Sequence, residues 1–159
     1  TFRPIRPEDE PLLVQFHQTL SEESVYLRYV HVLPLEQRIA HERLTRICFI
    51  DYDRELALVA EHRHPQSDRP EIVAVGRLTK LRGTPAAEFA LLVTDRFQRR
   101  GLGTELLRRL LEEALQEGLQ RITAKILPEN IAMQRICERL GFQLSRRPDD
   151  PLVTAELTL

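Results

Sequence analysis

Two neighbouring stretches, Glu88-Phe89-Ala90-Leu91-Leu92-Val93 and Gln98-Arg99-Arg100-Gly101-Leu102-Gly103-Thr104, decide the fold of this chain. The first has the apolar pattern of a strand, and the second opens a helix whose apolar residues recur at helical spacing. Those apolar residues are Leu106, Leu107, Leu110, Leu111, Ala114 and Leu115. A helix N-terminus carries unpaired main-chain N–H groups and a partial positive charge, so it binds phosphate. Gly101 and Gly103 would let the main chain approach a pyrophosphate without a clash from a Cβ atom.

Positive charge surrounds this junction, because Arg96, Arg99 and Arg100 lie within or beside the glycine segment. Arginine binds phosphate oxygens through charge-assisted hydrogen bonds. The segment is not a dinucleotide-binding fingerprint, because the third glycine is missing, and it is not a P-loop, because no Gly-Lys-Ser/Thr follows. The remaining alternative is a loop whose glycines serve only a tight turn.

Three strand patterns lead up to this junction, at residues 55–61, 71–81 and 87–93. Their connections are short and rich in turn residues, which predicts antiparallel pairing. Residues 2–6 predict a first strand. Apolar spacing predicts helices between that strand and the meander, one of them running from Pro34 toward Leu44.

Beyond the glycine segment and its helix, the pattern alternates between strand and helix. Residues 121–127 predict a strand, and residues 130–140 predict a helix that ends at Gly141. Residues 142–145 and 152–159 predict two final strands. The fold class is therefore α+β, with a mixed, mostly antiparallel sheet.

Composition narrows the functional classes. The 159 residues, of which 42% are hydrophobic and 30% charged, suit a single domain that covers residues 1–159. A net charge of −1 provides no general attraction for nucleic acid or an anionic membrane. Cys48 and Cys137 match neither a zinc site nor a disulfide framework. We therefore expect a cytoplasmic protein with no metal, no nucleic-acid partner and no membrane partner.

The motif Gln98-x-x-Gly101-x-Gly103, placed between a strand and a helix, resembles the pyrophosphate-binding motif of the GNAT N-acetyltransferases. A second segment strengthens the match, because Pro128-Glu129-Asn130-Ile131-Ala132-Met133 and Glu138-Arg139-Leu140-Gly141-Phe142 are similar to the late helix of that family. The resemblance covers the whole chain in the order of its elements, and residues 87–142 carry its specific part. It implies a GNAT-like sheet with helices on both faces.

The N-terminal half of the chain resembles one particular group within this family. Residues 5–9 and 44–52 look like the GNAT domain of bacterial protein lysine acetyltransferases, in which that domain is fused to a region related to NDP-forming acyl-CoA synthetases. The start at Thr1 is compatible with excision of this domain from a longer multidomain protein. This resemblance implies transfer of an acetyl group from acetyl-CoA to a protein lysine, with an acyl-CoA synthetase as a plausible target.

Two other functions stay open at this point. The chain could acetylate a small amine or an antibiotic, or it could sense acyl-CoA without turnover. In each case the resemblance implies acetyl-CoA as the ligand. Its implied binding residues are main-chain N–H groups of Leu92 or Val93, the loop residues, and Asn130. The loop residues are Gln98, Arg99, Arg100, Gly101, Leu102, Gly103 and Thr104.

The resemblance implies Glu88 as the catalytic base, since many GNAT enzymes carry a glutamate on the corresponding strand. The alternative is a solvated carboxylate on a strand edge.

Many members also carry a tyrosine in the late helix as the general acid, and this chain has Cys137 at that position. Cys137 could be a nucleophile, although a small buried residue is the simpler interpretation. Asn130 could equally be only a helix N-cap.

Two interpretations also remain open for the arginines beyond the glycine segment. Arg108 and Arg109 could contact the 3′-phosphate of the nucleotide, or they could lie on a solvated helix face. His62 and His64 could share one face of a strand end, but no third metal ligand is evident beside them.

Overall fold

The computed structural model describes residues 1–29, 34–48, 54–63, 65–98 and 100–159. Within these ranges the chain forms seven strands and six α-helices. The strands are β1 (Phe2–Pro4), β2 (Glu55–Arg63), β3 (Pro70–Lys80), β4 (Ala86–Val93), β5 (Arg121–Ile126), β6 (Gln143–Ser145) and β7 (Val153–Thr158). The helices are α1 (Glu10–Gln18), α2 (Glu22–Tyr29), α3 (Leu35–Arg38), α4 (His41–Cys48), α5 (Leu102–Gln116) and α6 (Ile131–Arg139).

All seven strands join one sheet in the order β1-β2-β3-β4-β5-β7-β6. The pairs β1–β2, β2–β3, β3–β4, β5–β7 and β6–β7 are antiparallel, and β4–β5 is parallel. The sheet is therefore mixed and mostly antiparallel, which confirms the predicted α+β class. The central pair β4–β5 is parallel because α5 carries the chain back across the sheet between the two strands.

Alternating side chains of the central strands pack into two cores, one on each face of the sheet. Phe89 and Leu91 of β4 pack in the larger core with leucines of α5, including Leu106 and Leu110. Leu92, on the opposite face of β4, packs in a second core with residues of α1 and α4. Helices therefore lie on both faces of the sheet, as the resemblance implied.

Several predicted boundaries differ from the structure. The single helix expected from Pro34 toward Leu44 is two helices, α3 and α4. The Ile39 N–H donates to the carbonyl oxygen of Leu35 at 3.0 Å, and this bond closes the short α3 before α4 begins. The helix expected at residues 130–140 begins one residue later, because Asn130 is its cap. Residues 49–52 of the stretch that resembles lysine acetyltransferases lie outside the described ranges, as does His64.

Candidate functional site

β4 and β5 separate part-way along their length. They pair at Ala86–Arg121, Ala87–Ile122 and Glu88–Thr123, and no further pairing is recorded although both strands continue. A groove of about 1050 Å³ lies beside the separated ends. Its walls include the end of β4, the end of β5, the beginning of α5 and the beginning of α6. The two strands thus form an opening in the middle of the sheet.

Hydrogen bonds at both ends of β4 show which of its main-chain groups face β3. The Thr94 N–H donates to the Val73 carbonyl oxygen at 2.9 Å, and the Leu81 N–H donates to the Ala86 carbonyl oxygen at 2.9 Å. The β3–β4 register has no shift between these two points. Even-numbered residues of β4 therefore direct their main-chain groups toward β3.

Odd-numbered residues direct their N–H and carbonyl groups to the other side, where β5 has separated. Beyond Glu88 these residues are Phe89, Leu91 and Val93. Leu92 is in register with Val75, and its N–H faces β3. Leu92 and Val93 both line the groove, but the alternation favours Val93 as the N–H donor that a ligand in the groove could reach.

Gln98 connects the loop after β4 to the strand and to α2. Its side-chain Nε2 donates to the Val93 carbonyl oxygen at 3.0 Å and to Ser24 Oγ at 3.0 Å. Ser24 Oγ in turn donates to Asp95 Oδ1 at 3.1 Å. The sequence analysis missed Ser24 and Asp95. The local signal near Ser24 is the stretch Ser21-Glu22-Glu23-Ser24, whose residue types are typical of a helix N-terminus. The predicted ligand residue Gln98 is thus also a structural link at the groove wall.

The beginning of α5 supplies the predicted phosphate-binding groups. Gly101 is its N-cap, with a φ of 79°, a left-handed conformation that favours glycine. Gly103 follows at a close approach between helices, because a Cβ atom there would lie 3.0 Å from Ile136 Cδ1 of α6. Gly101, Gly103 and Thr104 line the groove. Open main-chain donors without large side chains fit a pyrophosphate.

Other loop residues lie differently. Leu102 packs against the larger core. The guanidinium of Arg100 is exposed and lies 5.4 Å from the centre of the Phe97 ring. Neither Leu102 nor Arg100 lines the groove. Arg99 lies outside the described residues, so its predicted contact with the ligand stays a prediction.

The remaining cations near the loop have partners of their own. Arg96 pairs with Glu71 at 2.7 Å. Burial alone would raise the pKa of Glu71, but hydrogen bonds from Arg96 and His62 lower it overall. Arg108 and Arg109 both pair with Glu105 on the exposed face of α5. These pairs favour the solvated-face interpretation over a contact with the nucleotide.

Glu88 occupies the last paired position before β4 and β5 separate. It is in register with Thr79 of β3 and Thr123 of β5. Its side chain is exposed and lines the groove. A solvent-accessible carboxylate at this position can accept a proton from a group that enters the groove.

The late helix places Asn130 at the groove and Cys137 away from it. Asn130 Oδ1 accepts a hydrogen bond from the Met133 N–H at 3.2 Å, so the residue caps α6 and also lines the groove. The Cys137 side chain is fully buried in the larger core, and burial raises its pKa to about 12. This placement agrees with a small buried residue and disfavours a nucleophile.

The described ranges contain no group of three or more His, Cys, Asp and Glu side chains arranged to hold a metal ion. None of the helices in those ranges has the length and apolar character needed to cross a membrane.

The family model of the acetyltransferase (GNAT) domain matches residues 1–143. The chain belongs to the GNAT acetyltransferase family. It is therefore an acetyltransferase with acetyl-CoA as its co-substrate.

Individual relatives agree with this membership. The chain is 29% identical over 148 residues to the acetyltransferase PA5475 of Pseudomonas aeruginosa, covering 93% of this chain and 77% of that protein. It is 28% identical over 140 residues to the acetyltransferase Pat of Mycolicibacterium smegmatis, covering 87% of this chain and 40% of Pat. The crystal structure of the GNAT domain of S. lividans PAT is similar with a TM-score of 0.85 and 28% identity, covering 99% of this chain and 89% of that one.

Proposed function

We propose that this GNAT domain transfers the acetyl group of acetyl-CoA directly to the side-chain amine of a protein lysine, with Glu88 as the base. Similarity to the two Pat proteins and the resemblance to bacterial protein lysine acetyltransferases support a lysine acceptor. One observation carries the proposal: the exposed carboxylate of Glu88 lies where the two central strands separate.

A base is needed because a lysine amine is almost entirely protonated at neutral pH. Its reference pKa of about 10.4 leaves about one molecule in 2,500 neutral at pH 7, and only the neutral amine attacks a carbonyl carbon. Glu88 accepts the proton, either directly or through a water molecule. Thr79 of β3 and Thr123 of β5 are the residues in register with Glu88.

The groups that would hold the co-substrate all line the groove. Main-chain N–H groups of Gly103 and Thr104 would bind the pyrophosphate, and Asn130 would contact the pantetheine arm. The Val93 N–H would donate to the acyl oxygen. Bound acetyl-CoA supplies an activated thioester. The amine nitrogen bonds to its carbonyl carbon, the carbon–sulfur bond breaks, and coenzyme A leaves as a thiolate that takes a proton from water. Cys137 takes no part, because its thiol is buried.

The test compares Glu88→Gln with Glu156→Gln. Glu156 is also exposed and is in register with Thr123, but on β7 rather than β4. With lysine peptides and acetyl-CoA, Glu88→Gln should lower kcat by roughly 10²- to 10⁴-fold and leave the Kd for acetyl-CoA unchanged. Glu156→Gln should keep both constants. An unchanged kcat in Glu88→Gln, with an unchanged pH profile, would exclude Glu88 as the base.

The acceptor is tested separately by following coenzyme A release with a panel of proteins and amines. The panel includes an acyl-CoA synthetase, lysine peptides and small amines such as aminoglycosides. Release with lysine peptides or the synthetase supports the proposal. Release with small amines alone would replace it with small-molecule acetylation, and binding of acetyl-CoA without release would indicate a sensor.

A further inference from the structure

Lysine is rare in this chain. Lys80 and Lys125 are its two lysines, and the other 21 of its 23 lysine and arginine residues are arginines. Both residue types carry positive charge, but only the lysine amine becomes a nucleophile by losing a proton, because the arginine guanidinium stays protonated. Almost all the positive charge of the chain is thus carried by a group that acetyl-CoA does not modify. The positions of the two lysines therefore matter for an enzyme that acetylates amines.

Lys125 lines the groove where β4 and β5 separate. Glu88 and Thr123 are in register in the parallel pair, so their side chains lie on the same face of the sheet. Lys125 follows Thr123 by two residues, and the β5–β7 register has no shift between them. The side chain of Lys125 therefore leaves the sheet on the face that carries the Glu88 carboxylate.

Along the opening, Lys125 lies just beyond the last paired position. Continuing the β4–β5 register places it level with Ala90 of β4, and therefore between Glu88 and Val93. Two strand residues span about 7 Å and paired strands lie about 5 Å apart, so the Cα atoms of Glu88 and Lys125 are at least roughly 8 Å apart. The flexible four-carbon stem of a lysine can cover much of this distance. Ala90 also lines the groove, and its small side chain leaves the space between the strands open.

An ion pair holds Lys125 on the side of β7. Its Nζ donates to Asp150 Oδ2 at 2.7 Å and to Thr154 Oγ1 at 2.8 Å. The Lys125 side chain is 46% exposed, and that of Asp150 is 24% exposed. Ion pairs in such contact with water are weak, because water screens the charges and ordering a long side chain costs entropy. Lys125 can therefore leave Asp150 and turn into the groove.

Lys80 provides a matched comparison within the same chain. It also forms an ion pair, with Glu117 at 3.0 Å. Thr79 is in register with Glu88, so the next residue, Lys80, points to the opposite face of the sheet. Lys80 does not line the groove. The two lysines are thus both paired with carboxylates but differ in their access to the groove.

We propose that this chain acetylates its own Lys125, whose amine leaves Asp150, enters the opening between β4 and β5 and attacks acetyl-CoA bound there. The inference rests on the proposed function for its site and its base, but it needs no external acceptor.

The step uses the chemistry of the proposed reaction. Glu88 takes one proton from the Lys125 ammonium, directly or through water. The nitrogen then bonds to the carbonyl carbon and loses a second proton, the carbon–sulfur bond breaks, and the coenzyme A thiolate takes a proton from water. The products are an uncharged acetamide on Lys125, coenzyme A and one released proton.

The first test incubates the purified chain with acetyl-CoA that carries an isotope-labelled acetyl group, and follows each lysine by mass spectrometry. Lys125 should be labelled roughly tenfold or more faster than Lys80, because only Lys125 lies beside the groove. The preference should disappear in urea, where the groove is unfolded. Equal rates in the folded protein, or no label on Lys125, would overturn the inference. If lysine peptides in the same solution are acetylated, the proposed function survives that result.

Protein concentration separates transfer within one molecule from transfer between molecules. Within one molecule, the first-order rate constant for labelling of Lys125 should stay the same when the protein is diluted at saturating acetyl-CoA. A rate constant that falls in proportion to the dilution would show that one copy acetylates another, and would contradict the inference.

Asp150→Asn tests the release of Lys125. Asp150 Oδ1 accepts a hydrogen bond from the Leu152 N–H at 2.9 Å, and asparagine keeps an oxygen for this bond while removing the charge that holds Lys125. Labelling of Lys125 should become severalfold faster. Asp149→Asn removes the same charge from an exposed neighbour and should leave the rate unchanged. Equal rates in the two variants would contradict a Lys125 that leaves Asp150 in order to react.

Discussion

The side-chain amide nitrogen of Gln98 lies 3.0 Å from the carbonyl oxygen of Val93 and donates a hydrogen bond to it. The bond joins the loop before α5 to the last residue of β4. Because the Val93 carbonyl faces the opening, Gln98 satisfies a polar group that β5 no longer reaches. The Val93 N–H on the same side stays available to a ligand.

Gln98→Glu should weaken acetyl-CoA binding by replacing this donor with a carboxylate. The change retains the size of the side chain but places negative charge beside the Val93 carbonyl and near Asp95. We expect the free energy of unfolding to fall by about 1–2 kcal/mol and the Kd for acetyl-CoA, from calorimetry, to rise severalfold. Gln143→Glu, at an exposed site on β6, makes the same chemical change and should alter neither. Equal Kd values in both variants would show that Gln98 does not shape the groove.

Gly101→Ala should reduce both stability and acetyl-CoA affinity. Gly101 and Gly118 both have a φ of 79°, and a Cβ atom at either meets nothing within 4 Å. Each alanine variant should therefore lose about 1–2 kcal/mol from left-handed strain alone. Gly118 follows the opposite end of α5, so only Gly101→Ala should raise the Kd for acetyl-CoA. If both variants bind acetyl-CoA equally well, the beginning of α5 is not the phosphate site.

Protonation of His17 should destabilise the protein in mild acid. Burial, together with the charges of Arg43, Arg38 and Arg28, lowers its pKa in the folded protein to about 3, against a reference of 6.5. Between these values the unfolded chain binds a proton that the folded protein does not. Stability therefore falls as the pH decreases from 6.5, by roughly 2 kcal/mol on reaching pH 4.5. Chemical denaturation should show this loss in the wild type and a flatter profile in His17→Gln. Parallel profiles would mean that His17 titrates normally.

Both cysteines should be unreactive in the native protein. Burial raises the pKa of Cys48 to about 11 and that of Cys137 to about 12. Almost no thiolate therefore forms at pH 8. An aromatic disulfide reagent should modify them slowly until the protein is denatured. Cys137→Ala should keep kcat within about threefold, since the thiol makes no contact with substrate. Fast labelling of the native protein, or a loss of turnover in Cys137→Ala, would indicate that Cys137 takes part in the reaction.

The sequence predicted those parts of the site whose signals are local. Gly101 and Gly103 mark the beginning of α5, and Asn130 is a helix cap in the structure as its residue type suggests. The Gln98-x-x-Gly101-x-Gly103 motif, together with the Asn130 segment and the Leu-Gly-Phe ending, indicated the family that the family model shows. These features depend on residues within a few positions of each other, so they are visible in the chain itself.

Features that depend on register or on distant partners could not be predicted in the same way. The difference between Leu92 and Val93 follows from which neighbour each N–H faces, and that is set by the pairing of β4 with β3. The bond from Gln98 to Ser24 spans 74 residues. The cavity of about 390 Å³ under α1, α2 and α4 likewise gathers arginines from α2, α4 and β3, and no local pattern connects them.

The most direct test of the acetyl-CoA site is an amide NMR titration of the 159-residue chain with acetyl-CoA. The account predicts that the Val93, Gly101, Gly103 and Thr104 N–H signals shift most and saturate with one common Kd. Unchanged signals at these four residues, while amides elsewhere shift and saturate, would contradict the assignment of the groove between β4 and β5 as the acetyl-CoA site.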